Sequence, residues 1–161
     1  MRRQTRRNVF ETNSSSCHSF TIENGRTVNN LVVEDDGYVH TELGEFGWEI
    51  EDYYDSATKL AYILLVAAHF VKCNFWSFYF KDFDETLELF KETDLYKEIE
   101  EVVKAEMNCK GIIIEEDSEG YIDHQSLEQD SFEEWMKEAK ASSIREFIFG
   151  NIILHTDNDN H

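Results

Sequence analysis

Between Glu11 and His18 the chain reads "ETNSSSCH", a run of side chains able to hold an anion, ligate a metal or carry out nucleophilic chemistry. A serine-rich turn presents hydroxyls and backbone N–H groups in a concave array that suits a phosphate. Two later segments have the same character: Asp123, His124, Gln125 and Ser126 in "YIDHQS", and His155, Asp157, Asn158 and Asp159 in "HTDNDN". The candidate ligand-binding set is therefore Glu11, Asn13, Ser14, Ser15, Ser16, His18, Asp123, His124, Gln125, Ser126, Asp157 and Asn158. Within it Ser15, His18 and His124 are the candidate catalytic groups. A serine or cysteine nucleophile needs a histidine base in hydrogen-bond reach and an acidic group to orient that base. Asp123 cannot orient His124, because neighbours on a strand face opposite ways, whereas Ser126 shares the face of His124. The plainer reading makes Asn13 and the serines a set of Asx and ST turns that lead into a strand. Both readings stand at this level.

Metal chemistry has less behind it. None of the three segments has HxxxH or HExxH spacing. "DNDN" lacks the glycine and the downstream glutamate of a calcium loop. No metal and no cofactor is expected. Cys17, Cys73 and Cys109 are scattered, without CxxC spacing, which fits free thiols in a reducing compartment. Cys73 and Cys109 read as small buried hydrophobes, and His69, inside an apolar run, as a core histidine with its hydrogen bond satisfied.

The elements that would position these groups follow from periodicity and turn residues. There is no proline in the 161 residues, so glycine, asparagine and aspartate make the turns. "SFTIE", "VNNLVVED" and "YVHTEL" read as three strands of an N-terminal meander, with Asn24-Gly25 as a hairpin turn. Asp55 or Ser56 caps a helix running to about Cys73, and Leu60 to Ala68 leave it no polar face, so it is predicted to be central and buried. "FDETLELFKETD", "LYKEIEEVVKAEM" and "DSFEEWMKEAK" are amphipathic helices. "GIIIEE" and "YIDHQS", joined by "DSEG", read as a hairpin, and Asn151 to His155 as a last strand. The fold class is α+β: one domain, a mixed or antiparallel sheet built from N-terminal and C-terminal strands, packed on about four helices. Residues 1–8 form a basic arm, 9–155 the domain and 156–161 a polar tail. The aromatic run "FWSFYFKDF" (75–83) reads as core; with its alternate face exposed, Trp76 and Tyr79 would form a protein-binding patch.

Charge is the strongest global feature. There are 34 acidic and 15 basic residues, a formal net charge of -19. Arg2, Arg3, Arg6 and Arg7 lie in the first seven residues, so the remainder is more acidic still. Such a body repels nucleic acid and anionic membranes and attracts basic protein surfaces. Direct nucleic-acid and membrane binding are thus disfavoured, and the expected partner is a basic protein. The candidate partner-binding acids are Glu34, Asp35, Asp36, Glu49, Glu51, Asp52, Asp82, Asp84, Glu85, Glu115, Glu116 and Asp117. Gathered on one face, they can imitate the phosphates of a nucleic acid and occupy a cationic groove. The arm has no apolar stretch after it and the longest apolar run is too short to span a bilayer, so a cytoplasmic protein is expected.

"RRNVFETNSSSCHSF" resembles the N-terminal signature of a family of small bacteriophage and prophage proteins: a basic start, then V-F-E-T-N-S-S-S-x-H-S. "GYIDHQS" and the "DNDN" ending are also similar. The resemblance implies expression in an infected bacterium and brings no activity with it; Cys17 falls at the variable position. Two functions are left open. One is a counter-defence inhibitor that binds a host nucleic-acid-handling or defence protein, such as a CRISPR effector, through an acidic face. The other is a nucleotide-binding protein or enzyme centred on the three polar segments. Self-assembly into a homo-oligomer is a third possibility.

Overall fold

The computed structural model describes residues 27–46, 51–73, 83–115, 120–122, 127 and 129–156. They form one α+β domain. The order is β1 (Val39–Thr41), β2 (Glu45–Phe46), β3 (Glu51–Tyr53), α1 (Ser56–Phe70), α2 (Phe83–Lys91), α3 (Asp94–Met107), β4 (Ile112–Ile114), β5 (Tyr121–Ile122), α4 (Phe132–Glu138), α5 (Ile144–Phe149) and β6 (Leu154–Thr156).

α1 is the hub. Asp55 caps it, accepting from the Thr58 N–H at 2.8 Å, and every residue from Lys59 to Ala68 is buried. It packs against α3, α4, α5, β1 and β5. Tyr62 stands edge-on to Phe46 and beside Trp135, which in turn meets Phe132 and Phe147. Gly120 lets β5 approach α1 closely, since a Cβ there would lie 2.6 Å from Leu65 Cδ2. A helix apolar on all sides needs such a complete jacket, as any gap leaves leucine or isoleucine surface in water.

Two polar side chains on α1 are fully buried as well. Ser56 Oγ donates to the Ile148 carbonyl at 3.0 Å. Lys59 Nζ donates to the carbonyls of Gly150 (3.1 Å) and Ile152 (3.2 Å) and to Thr27 Oγ1 (3.1 Å); the Thr27 hydroxyl itself donates to Gly150. One ammonium thus ties three separated stretches of chain together, with each of its N–H groups on an acceptor. Burial pushes Lys59 down to about 8, against the attraction of Asp55.

Among the described residues the strands form three pairs. β1 pairs parallel with β4, β2 parallel with β5, and β3 antiparallel with β6. The two parallel pairs use the same two stretches of chain in the same direction, joined by Glu115 N–H to the Thr41 carbonyl and Tyr121 N–H to the Gly44 carbonyl. "GIIIEE" and "YIDHQS" are therefore not a hairpin: each pairs with an N-terminal partner, and the helical crossover α1–α3 makes the parallel arrangement possible.

The meander also needs correcting. Residues 28–35 hold only isolated bridges, Val28 with Asp55 and Val33 with Val39. The asparagines divert this segment. Asn29 Oδ1 accepts from Leu31 N–H at 3.2 Å, while Asn30 accepts from Ala57 N–H at 2.9 Å and donates to Asp55 at 3.1 Å. Side chains that satisfy local backbone groups remove the need for a ladder. The "DDG" turn is present, with Gly37 at φ +88° and its N–H on the Glu34 carbonyl at 2.9 Å. "SFTIE" and Asn24-Gly25 lie outside the described residues, as do Trp76 and Tyr79.

α5 is a fifth helix beyond the four expected, capped by Ser143, which accepts from Glu146 N–H at 3.1 Å. His69 is exposed on the last turn of α1, edge-on to Phe70, and is not a core residue. At a helix C-terminus an imidazole is favoured by the dipole without burial. Cys73 and Cys109 are half-buried free thiols packed against the core, and burial raises that of Cys73.

Replacing Lys59 with methionine should cost about 1–3 kcal/mol at neutral pH, because the buried Ile152 carbonyl loses its donor and the Gly150 carbonyl keeps only that of Thr27. Between pH 8 and the ordinary lysine value the unfolded chain binds a proton that the folded chain does not, so this lysine's contribution grows as pH rises through that window. Urea denaturation of both proteins at pH 7 and pH 10 should show the gap widen. A Lys59→Met protein as stable as the native one would contradict this role.

Candidate functional site

β1, the link 42–44, Phe46, the first turns of α1, one face of α2 and the end of β4 surround a groove of about 1310 Å³. Leu43, Phe46, Ala61, Leu87 and Ile114, all buried, lie along its apolar floor. β1 alternates as a half-buried strand should, with Val39 and Thr41 turned inward and His40 toward the groove. α2 opens with acids in its first turn and sets Asp84 and Glu88 one helical turn apart on the same wall. Glu42 and Glu115 complete the carboxylates of the lining.

At its edge, His40 is held at both nitrogens. Nδ1 lies 2.5 Å from Glu115 Oε1 and Nε2 lies 2.9 Å from Asp36 Oδ2. Two carboxylates can both accept from one imidazole only when both nitrogens carry protons, so this geometry selects the imidazolium. Accordingly the Glu115 hydrogen bond, then that of Asp36, raises His40 above the ordinary histidine value. Asp36 is lowered, first by the Tyr38 N–H at 3.0 Å and then by His40. Lys110 closes the far side: its ammonium donates to the Asp36 carbonyl at 2.6 Å and lies over the Tyr38 ring.

Among the described residues, several acids outside the lining have cationic partners and others, such as Glu98 on α3, have none. On α3, Glu100 and Glu101 share Lys104, and Glu106 binds Arg145. On α4, Glu133 pairs with Lys137. In the groove Lys91 pairs with Glu88 at 2.9 Å, but among the described residues no lysine or arginine pairs with Glu42 or Asp84. Such exposed pairs contribute little to stability. Their distribution does set the local potential, and the groove keeps its negative charge.

The partner-binding acids expected from sequence are divided. Asp84 and Glu115 line the groove and Asp36 joins it through His40. Glu34 and Asp35 are exposed on the adjoining turn, and Glu85 is exposed on α2 beside Asp84. Glu51 and Asp52 stand on β3 and do not line the groove; Asp52 instead meets His155 at 2.5 Å across the β3–β6 pair. Glu49, Asp82, Glu116 and Asp117 lie outside the described residues. So do Glu11, Asn13, Ser14, Ser15, Ser16, His18, Asp123, His124, Gln125, Ser126, Asp157 and Asn158, the whole candidate ligand set. Among the described residues β6 pairs with β3 and not with β4 or β5.

Sequence reasoning missed His40, Glu42 and Glu88. The i, i+4 spacing of Asp84 and Glu88 was a legible signal, whereas the contact of His40 with Glu115 depends on the β1–β4 register. Among the described residues there is no cluster of three or more potential metal ligands, and no helix is long and apolar enough to cross a membrane. The chain matches no protein-family model, and no curated protein and no solved structure is significantly similar to it.

The imidazole of His40 should titrate above about 6.5 in a pH series of NMR spectra, and substitution Glu115→Gln should bring the midpoint down. An unchanged midpoint would mean that Glu115 is not what holds the proton.

Proposed function

We propose that this protein acts by binding, and that its acidic groove receives a cationic segment of a basic partner protein. The observation that carries the reading is the groove itself: carboxylates from β1's exit, α2 and β4's exit line it together with apolar side chains, and among the described residues no lysine or arginine is paired with Glu42 or Asp84. Its volume of about 1310 Å³ exceeds the roughly 300–1,000 Å³ usual for small-molecule pockets and suits a stretch of polypeptide. Arginine and lysine match both parts, with hydrocarbon stems for the floor and charged heads for the rim.

The net charge of -19 supports the same partner class by steering cationic surfaces inward at long range. The N-terminal resemblance to phage proteins supplies the setting, an infected bacterium. There, nucleic-acid-handling and defence proteins carry cationic surfaces of this kind. Occupation of such a surface by the acidic protein would block access of the nucleic acid. The mechanism requires no catalytic step.

The groove is tested with a fluorescent arginine-rich peptide at low ionic strength. The Asp84→Asn/Glu88→Gln double variant should bind about tenfold more weakly, through the loss of two charge-assisted contacts. Glu98→Gln/Glu134→Gln removes the same formal charge from exposed positions on α3 and α4 and should bind almost as well as the native protein. Equal losses in both variants would show bulk charge at work and remove the groove from the proposal. For the partner class, capture from bacterial lysate should yield a basic nucleic-acid-binding protein, released by salt and lost with the groove variant.

A further inference from the structure

His40 is a charged group at the edge of a site that is otherwise anionic. It sits at the centre of β1, directly opposite Ile113 in the β1–β4 register. Its ring spans the gap between the turn carrying Asp36 and the exit of β4 carrying Glu115. It is half-exposed, as is Glu115, so neither group is locked away from an incoming ligand. Glu115 is also part of the groove lining. The same carboxylate therefore serves two purposes. It is an acceptor for the imidazolium within the protein, and part of the carboxylate lining that a cation entering from outside meets.

We propose that His40 is a positioning residue that gates the groove by competing with the incoming cation for Glu115. This rests on the groove being the binding site. With His40 protonated, Glu115 is drawn onto the ring and part of the negative charge at that end of the groove is cancelled. A guanidinium arriving at Glu115 replaces the imidazolium as its partner and places a like charge beside it. Release of the proton from His40 relieves that repulsion, and the neutral ring keeps one N–H for Asp36.

Among the described residues, the charged groups around His40 are of both signs. Asp36 and Glu115 touch it and favour its charged form, whereas Lys110, bound to the Asp36 carbonyl, opposes it. The groove lining also holds Glu42, Asp84 and the Glu88–Lys91 pair. The carboxylates favour the imidazolium in the empty groove, consistent with the raised histidine. A bound cation neutralises them and withdraws that support. Binding and proton release are thus linked, and affinity for a cationic segment increases with pH. The sign is opposite to that of a histidine which contacts an anionic ligand.

The probe is a hexa-arginine peptide, whose charge is constant over the range used. Titration calorimetry at pH 6 and pH 8, in two buffers of different ionisation enthalpy, reads affinity and proton release together. The native protein should release a fraction of a proton at the acid end. Its affinity should be up to about tenfold higher at the alkaline end, the change that goes with a shift of one unit on binding. His40→Gln should bind at both pH values with the dependence flattened. His155→Gln, which alters a histidine outside the groove, should keep it. Tight binding with no proton release and a flat pH profile in the native protein would overturn the gate and leave the groove intact as a binding site. Absence of binding at any pH would remove the groove reading, and the gate with it. Should His40→Gln not fold, the buffer dependence of the native protein decides the question alone.

Discussion

The structure is governed by the need to cover α1 on every side. A helix running from Lys59 to Ala68 without an exposed residue cannot sit on the surface of anything. The other elements are arranged as its coat, with α3, α4 and α5 packed against it and β1 and β5 closing the rest. The strand pairs are only two or three residues long. Isolated two-stranded ribbons of that length are not stable in water. Their hydrogen bonds persist because Val39, Ile112, Ile114, Ile122 and Leu154 are buried in the same core as the helix. The backbone ladders follow from the packed helix rather than supporting it.

Such a coat leaves two difficulties at the start of α1, and both are met by long-range polar contacts. The first-turn N–H groups go to Asp55 and Asn30. The buried side chain of Ser56 reaches the Ile148 carbonyl at the end of α5, and that of Lys59 the carbonyls of Gly150 and Ile152 that follow it. An ammonium in a core is costly when its donors are idle. Here it serves the carbonyls of Gly150 and Ile152, between α5 and β6, and it anchors Thr27 at the same time. Lys59 therefore fixes where the chain before β1 and the chain before β6 must lie. Both ends of the described fold depend on one residue of the central helix.

Much of this was legible where the signals are local. Asp55 as a cap, the absent polar face from Leu60 to Ala68, and the periodicity of Leu95, Ile99 and Val103 each specify an element from neighbouring residues alone. α5 was just as legible and was overlooked: Ser143 and Glu146 have the spacing of a capping box, and Glu146 Oε2 takes the Ser142 N–H at 2.7 Å. Pairing was not legible. Nothing in "GIIIEE" says that Ile113 faces His40 rather than a neighbour across the "DSEG" turn, because a buried strand reads the same in either arrangement. "VNNLVVED" misled for a different reason. Its apolar content suggests a strand, while Asn29 and Asn30 spend their hydrogen bonds on a turn and on the cap of α1. The site suffered most, since a groove formed by β1, α1, α2 and the exit of β4 is a product of pairing. Its acids could be noted individually, and their meeting could not.

The uneven neutralisation of charge follows from the same geometry. On α3 and α4 a lysine three or four residues away lies on the same exposed face as its glutamate, so helical spacing alone supplies the partner. Glu42 follows a strand of three residues, and Asp84 lies in the first turn of a helix, where an acid is favoured by the dipole. Among the described residues neither is paired with a lysine or arginine. Opposite them, Glu115 meets a histidine only because β1 and β4 run parallel in register. Three places where secondary structure ends, those of Glu42, Asp84 and Glu115, thus bring carboxylates to one groove. Among the described residues of its lining, His40 is the side chain whose charge can be withdrawn near neutral pH, which makes the potential of the groove adjustable while the fold beneath it, tied through Lys59, stays the same.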